Sequence, residues 1–354
     1  MEAASVPAAR PAAPGQVVRD FIGKYGLIVV LLAMPVTFAI TDLTGDQGNL
    51  SRLGNNLVDG LSNGAIWALV AIGYTLVYGI VELINFAHGD VFMIGSFSAA
   101  GFFGFLGLTQ NTSYVLLALG LFLTLLVAML ASGSLNVMIE RVAYRPLRSA
   151  PRLAPLITAV GFSFILQQVG LLWLGGSQEG IQDLIRAQRE VVTIGGVVIT
   201  NGDLLSVGVT IPLLALMTAF IARSRLGKAM RATAQDPEAA RLMGINVDTT
   251  ISLTFLIGGI LAGSAGLIYA LYQTTIWYFQ GFTAGLVAFT AAVMGGIGNL
   301  QGAVLGGFII GFIQQMSDNR IGPEWTNVLV FGYLIMIMTF KPSGLLGEQT
   351  REAG

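Results

Sequence analysis

The sequence predicts an all-α, polytopic helical membrane protein with about ten transmembrane or half-membrane segments and one small external β-hairpin. Three observations carry that expectation. Of 354 residues, 54% are hydrophobic and 10% charged, with a mean hydropathy of +0.76, whereas an ordinary globular chain is about 25% charged. Apolar runs of roughly bilayer length recur along the chain, separated by short polar stretches. Counting ten crossings from a cytoplasmic N-terminus leaves only Arg52, Arg186, Arg189 and Arg320 outside and puts the other fourteen of 18 basic residues inside. That asymmetry is the positive-inside rule, and it predicts that both termini are cytoplasmic.

Composition removes several function classes. There is no cysteine, so disulfides, thiolate metal sites and thiol nucleophiles are excluded. His88 is the single histidine, which excludes a multi-histidine zinc site. The net charge of −1 comes without a basic patch interleaved with aromatics, so nucleic acid is not an expected partner. Gly227-Lys228 lacks both the upstream glycine and the hydroxyl residue of a phosphate-binding loop, so any ATP must be hydrolysed by another chain. No catalytic residue, metal or cofactor is predicted.

In chain order, residues 1–24 are Ala- and Pro-rich and read as a disordered tail, and 25–43 reads as an additional, uncleaved N-terminal span. A polar stretch, 41–56, lies outside, and 57–80 crosses with Gly and Ala at helix-packing spacing. Glu82, Asn85, His88 and Asp90 then break the hydrophobicity before 91–108 crosses again, followed by 114–137. Four arginines occupy 140–152, where Pro146 and Pro151 prevent one long helix. The run 154–174 is the next span. Residues 191–200 are β-branched on both sides of Gly195-Gly196 and read as a hairpin. It would lid the outer face or dock a soluble binding protein. Spans at 204–222 and 249–272 flank the polar stretch 224–248. The runs 282–297 and 301–315 are each short for a crossing, so they are two tight spans or a pair of half-helices. A last span, 325–340, stops at Lys341-Pro342, and 348–354 is a tail.

The stretch 224–248 must lie in water, and it is highly ordered for a loop. Asp236 is a good N-cap, Pro237 suits the first helical position, Glu238 favours the positive helix start, and Gly244 can take the left-handed conformation that ends a helix. A short capped helix over 237–243 follows, with a second helix-prone run at 228–234 before it.

Glu238-Ala239-Ala240 followed by Gly244 resembles the Glu-Ala-Ala signature of importer permeases, although Thr254, Leu256 and Ile257 depart from its later part. Asn85-Phe86-Ala87-His88-Gly89-Asp90, Glu140-Arg141-Val142-Ala143-Tyr144-Arg145-Pro146 and Gly295-Gly296-Ile297-Gly298-Asn299, with Gly302, Gly306 and Gly307, complete the pattern. Together they resemble the LivH-type permease of branched-chain amino acid ABC importers over 57–347. The resemblance implies a permease subunit in a bacterial cytoplasmic membrane, with no enzymatic activity of its own. Its implied partners are a second permease subunit, homologous or identical, two ATP-binding cassette ATPases, a soluble solute-binding protein and the membrane lipid. The implied solute is small and polar, branched-chain amino acids first, with urea, short amides or aromatic acids as alternatives. It also implies ATPase coupling through Asp236, Pro237, Glu238, Ala239, Ala240 and Gly244. A translocation path or gate is implied at Asn85, Phe86, His88, Asp90, Gly295, Gly296, Gly298 and Asn299.

Residue chemistry alone leaves other readings. Asn85 to Asp90 either caps two helix ends at the inner interface or marks a gate, because ionisable groups at membrane depth are expensive. His88 is expected to hold one span end against the next by hydrogen bonds. The arginines of 140–152 either obey the positive-inside rule or flank an ATPase contact. A secondary transporter or channel is the competing function, but it would show charged residues within the spans as ion or proton carriers, and the long spans have almost none. A weak likeness of His88-Gly89-Asp90-Val91 to Gln301-Gly302-Ala303-Val304 hints at an internal repeat.

Overall fold

The computed structural model describes residues 33, 36–41, 43–44, 50–148, 150–151 and 153–347. The expected tails 1–24 and 348–354 and most of the expected span 25–43 lie outside the described residues. The helices are α1 (Leu50–Val81), α2 (His88–Phe105), α3 (Tyr114–Ile139), α4 (Leu153–Leu174), α5 (Asn201–Arg223), α6 (Arg225–Gln235), α7 (Pro237–Leu242), α8 (Val247–Gln273), α9 (Gln280–Gly295), α10 (Leu300–Arg320) and α11 (Thr326–Phe340). A π-helical turn, Glu140–Tyr144, and a 3-10 turn, Arg145–Leu147, extend α3.

Among the described residues, seven helical stretches are long and apolar enough to cross a membrane: α1, α3 with its extension, α4, α5, α8, α10, and α11 with the 3-10 turn before it. The sequence expectation of ten segments is therefore not reproduced by length and composition. Two expected crossings fall short. Helix α2 opens on His88 and Asp90, which dilute its apolar content, and α9 has 16 residues, about 24 Å at 1.5 Å per residue. The half-helix reading of 301–315 is corrected, because α10 runs 21 residues. The end of the polar stretch 41–56 is helical from Leu50 onward, so α1 begins seven residues before the expected span start at 57. Helix α1 extends back to Leu50 because its polar side chains find partners there: Arg52 donates to the Asn319 carbonyl at 3.0 Å, and Asn55 accepts from the Val198 amide at 2.8 Å.

Helices α1 and α8 form the centre, each with 78% of its apolar window buried, against 22% for α3 and α5. Lipid tails are as apolar as leucine, so close backbone packing must hold the centre together. At Gly311 of α10, an added Cβ would lie 2.4 Å from the Gly64 Cα of α1, so only glycine permits that approach. Glycines 89 and 285 bring α2 and α9 together in the same way, with Gly285 Cα 2.5 Å from where a Cβ on Gly89 would stand. Gly302, in the first turn of α10, packs on Gly295 at the other end of α9. The likeness between the two glycine-bearing helix starts thus has a packing basis.

Two short sheets complete the fold. Strands β2 (Glu190–Ile194) and β3 (Val197–Thr200) pair antiparallel, with Ile194 opposite Val197, around Gly195 and Gly196, both at positive φ. Such a turn matches strand twist. Thr200 then caps α5 in a reciprocal box with Asp203. Strand β1 (Glu179–Gly180) pairs with β4 (Thr275–Ile276), and two residues are too few for any alternation to announce them.

Candidate functional site

Three features lie on or near the expected site residues. The first is the loop between α5 and α8. The Asp236 carboxylate accepts from the amides of Glu238 and Ala239, each at 2.9 Å, which satisfies two of the free N–H groups at the start of α7. Gly244, at φ +82°, closes the other end, and the Ile245 amide returns to the Ala240 carbonyl at 3.0 Å. Ala240 is buried and pins the helix to the core, while Asp236, Pro237, Glu238 and Ala239 face outward. Leu242 and Met243 stand beside them, 89% and 83% exposed. Sequence reading missed this pair, although two large apolar residues inside a polar loop are a visible signal. It also missed the ion pairs beyond α7. Arg148 bonds buried Glu140 and, at 2.5 Å, Asp248; Arg145 bonds Asp248 at 3.0 Å, and Ser252 donates to Glu140 at 2.7 Å.

The second feature is the break between α1 and α2. Asn85 is buried and donates to Asn136 at 3.1 Å; Asn136 donates to the Phe255 carbonyl of α8 at 2.6 Å. The Tyr144 hydroxyl, from the π turn, donates to the Ile84 carbonyl at 3.2 Å. So Asn85, not His88, holds this junction. The His88 ring is fully buried edge-on to Tyr74, with centroids 4.7 Å apart, and approaches the Val70 carbonyl without reaching hydrogen-bond geometry. The expectation that His88 ties two span ends by hydrogen bonds is corrected accordingly. Asp90 accepts from Ser163 at 2.5 Å, and Gln167 supports that hydroxyl at 3.0 Å. Ser163 is midway along α4, so Asp90 lies at the depth of a span's middle rather than its end.

The third feature is the turn between α9 and α10. Gly296, at φ +110°, is covered by Ser343 and Gly347, and the amides of Leu345 and Leu346 donate to Met294 and Gly295. Gly295 and Gly296 are thereby structural: one packs on Gly302, the other sits under the C-terminal strap. Gly298, at φ +92°, faces open space, and Asn299 caps α10 through the Gly302 amide at 3.0 Å.

Gly298 and Asn299 line a cavity of about 700 Å³ between α1, α5, α6 and this turn. Asn85, Phe86, His88 and Asp90 do not line it. A separate void of about 10 Å³ is walled by Tyr74, Tyr78, Phe289 and Ile297, and Ile297 also lines the larger cavity. Phe289 packs on Tyr74 and Phe86 at centroid distances of 6.2 and 6.1 Å. Tyr74, Phe86 and Phe289 thus form an aromatic cluster, and Tyr74 in turn packs on His88. Tyr74 and Phe289 were not legible as site residues, because 215 positions of chain separate them.

Comparison with known proteins adds the following. Residues 56–339 match the sequence profile of the family described as branched-chain amino acid transport system / permease component. The chain is 42% identical over 294 residues to the high-affinity branched-chain amino acid transport system permease protein BraD of Pseudomonas aeruginosa, covering 82% of this chain and 95% of that one. It is 39% identical over 309 residues to LivH of Salmonella typhimurium and 39% over 296 residues to LivH of Escherichia coli, in each case covering 82% of this chain and 94% of the relative.

Proposed function

The chain belongs to the family of permease components of branched-chain amino acid transport systems, and from that premise we propose that it is the membrane-spanning subunit of an ATP-binding cassette importer for leucine, isoleucine or valine. The observation that carries this reading is α7, a six-residue helix capped at both ends that presents Leu242 and Met243 from between two membrane spans. A membrane protein with an ordered, apolar-tipped helix in water has a docking element for a soluble partner. That partner is the ATPase, met through Asp236, Pro237, Glu238, Ala239, Ala240 and Gly244 and the exposed apolar pair.

The assembly comprises two permease subunits, identical or homologous, two ATPases and a soluble binding protein. It sits in the bacterial cytoplasmic membrane with both termini in the cytoplasm, the permease domain spanning 57–347 and the β2–β3 hairpin outside. Movement of α7 reaches the membrane by a contiguous route. Helix α8 begins five residues beyond Leu242 at Val247, Asp248 is bonded to Arg145 and Arg148, and the π turn carrying Tyr144 reaches Ile84 beside Asn85. The aromatic cluster of Tyr74, Phe86 and Phe289 is the gate at the end of that route. Only contacts that differ between the ATPase's two states can shift the gate.

The test is uptake into proteoliposomes containing the full complex. Leucine uptake should need ATP and the binding protein. Uptake by this chain alone, driven by a proton gradient and indifferent to ATP, would overturn the importer reading. ATP-dependent uptake of urea or an amide, but not leucine, would keep the importer and replace its solute.

A further inference from the structure

We propose that the corner where α5 turns into α6 binds the headgroup of an anionic phospholipid through Arg223, Arg225, Lys228 and Arg231. The proposal asks only that α5 spans the membrane, so it stands or falls apart from the importer reading. Helix α5 has 22% of its apolar window buried, and its exposed residues recur at helical spacing through Leu204, Gly208, Ile211, Ala215 and Ala219, with Leu216 and Phe220 beside them. From Leu204 to Phe220 every exposed residue of that face is apolar; Arg223, the last residue of the helix, ends it. A face of this kind belongs in hydrocarbon. Arg223 therefore stands where lipid tails give way to headgroups, the level that long basic side chains reach for.

Helix α6 then folds back over that end. A Cβ on Gly227 would stand 2.0 Å from the Ile221 carbonyl oxygen, so only glycine allows the approach, and Arg231 donates to the Ile221 and Ala222 carbonyls. Gly227, Met230 and Thr233 are buried, while Arg225, Lys228 and Arg231 recur every third residue on the exposed side. Four basic residues thus gather within nine positions of chain, and α6 contains no Asp or Glu. Among the described residues no carboxylate forms an ion pair with any of them, whereas Arg145 and Arg148 are both paired. The positive-inside rule accounts for basic residues at this end, but not for their being gathered and unpaired beside an apolar face. A phosphodiester supplies the missing counter-charge: guanidinium forks match phosphate oxygens, and basic clusters next to a membrane helix attract anionic lipid. A soluble partner would meet the α6 cations but leave the adjoining face of α5 uncovered, so lipid is the occupant that fits both. A headgroup held there ties α6 to the membrane surface, with only Asp236 between it and α7.

The chain lacks cysteine, so Ala219→Cys, exposed one turn before Arg223, takes a single bimane fluorophore. The full chain carrying this reporter is reconstituted in phosphatidylcholine vesicles with a minor share of phosphatidylglycerol, and one lipid at a time is supplied with brominated acyl chains that quench the fluorophore on contact. Phosphatidylglycerol should be preferred over phosphatidylcholine about fivefold or more, the effect of roughly one basic side chain near a charged membrane surface. Arg223→Gln/Arg225→Gln/Lys228→Gln, which spares the carbonyl-bound Arg231, should bring that ratio to about one. Arg186→Gln/Arg189→Gln, from the loop before α5, should leave it unchanged. Without the triple substitution, raising salt from about 0.1 to about 1 M shortens the Debye length from about 10 to about 3 Å and should weaken the preference; this arm does not depend on how the triple variant folds. A ratio near one before any substitution, or a preference that survives the triple substitution or high salt, overturns the proposal. So does quenching by neither lipid, which would mean that a second protein subunit covers the face. Loss of the preference when the ATPase is added would assign the cations to that partner and overturn it as well.

Discussion

Glu140 is fully buried where α3 ends, and Arg148 is the cation that meets it. Removing one partner of a buried ion pair leaves a charge without compensation, at a cost of about 3–5 kcal/mol. Arg148→Gln is therefore expected to destabilise the protein by about 3 kcal/mol in a detergent melt. Asp248→Asn breaks bonds to the same arginine, but its side chain is 43% exposed, so about 1 kcal/mol or less is expected. Equal losses would show that Glu140 does not depend on Arg148. A similar contrast separates Asn85 from His88. Asn85→Leu strands Asn136, at about 1–3 kcal/mol for a buried polar group left unpaired, and should lower both melting temperature and uptake. His88→Leu removes a ring without hydrogen bonds and should be the milder change in both assays. The sequence marks both residues as unusual for membrane depth but cannot rank them. What ranks them is Asn136, 51 positions away, and beyond it the Phe255 carbonyl, a further 119. Local spacing carries no trace of such partners.

At the scale of the element, α7 was legible because everything that defines it is local: cap, proline, acid and terminating glycine fall between Asp236 and Gly244. Helices α9 and α10 were less so, since the turn between them is fixed from outside by Leu345, Leu346 and Gly347, which no reading of 282–315 could supply. The π turn after α3 was hidden for the same reason; the arginines after it explained themselves as membrane-side charge, and their partner Asp248 lies about a hundred positions on, at the end of the stretch 224–248. Locality also makes α7 easy to test. Nothing stands within 4 Å of a Cβ placed on Gly244, so Gly244→Val meets no clash and feels only the left-handed backbone. That strain is about 1–3 kcal/mol, enough to fray the end of a six-residue helix without disturbing membrane insertion. The ATPase should co-purify in reduced yield and uptake should fall. Wild-type stoichiometry and uptake in Gly244→Val would remove α7 as the coupling element.

For the whole molecule, hydrogen bonds between distant segments constrain the crossing count. At one end Ser51 bonds the Gly195 carbonyl at 3.1 Å and Arg52 bonds that of Asn319 at 3.0 Å. At the other, Arg148 bonds Asp248 and Asn299 bonds the Leu346 carbonyl at 2.8 Å, while Arg231 and Asn299 share one cavity. Segments that meet at one end must be separated by an even number of crossings. Between Ser51 and Gly195 lie α1, α2, α3 and α4, and between Gly195 and Asn319 lie α5, α8, α9 and α10. The first count is even only if α2 crosses and the second only if α9 does, although neither passes on length and composition. Their polar starts are tolerable because neighbouring helices, not lipid, surround them: His88 and Asp90 are fully buried, and Gln280 is 2% exposed. With the basic residues concentrated at the Arg148 end, the positive-inside rule assigns that end to the cytoplasm in the proposed importer. Gln188 and Gln235 are both exposed and belong to opposite ends, so in this cysteine-free chain Gln188→Cys should react with an impermeant maleimide in intact cells, and Gln235→Cys only after permeabilisation. Labelling of both from the same side would mean that α5 does not carry the chain across, and the proposed cytoplasmic placement of α7 would fall with it.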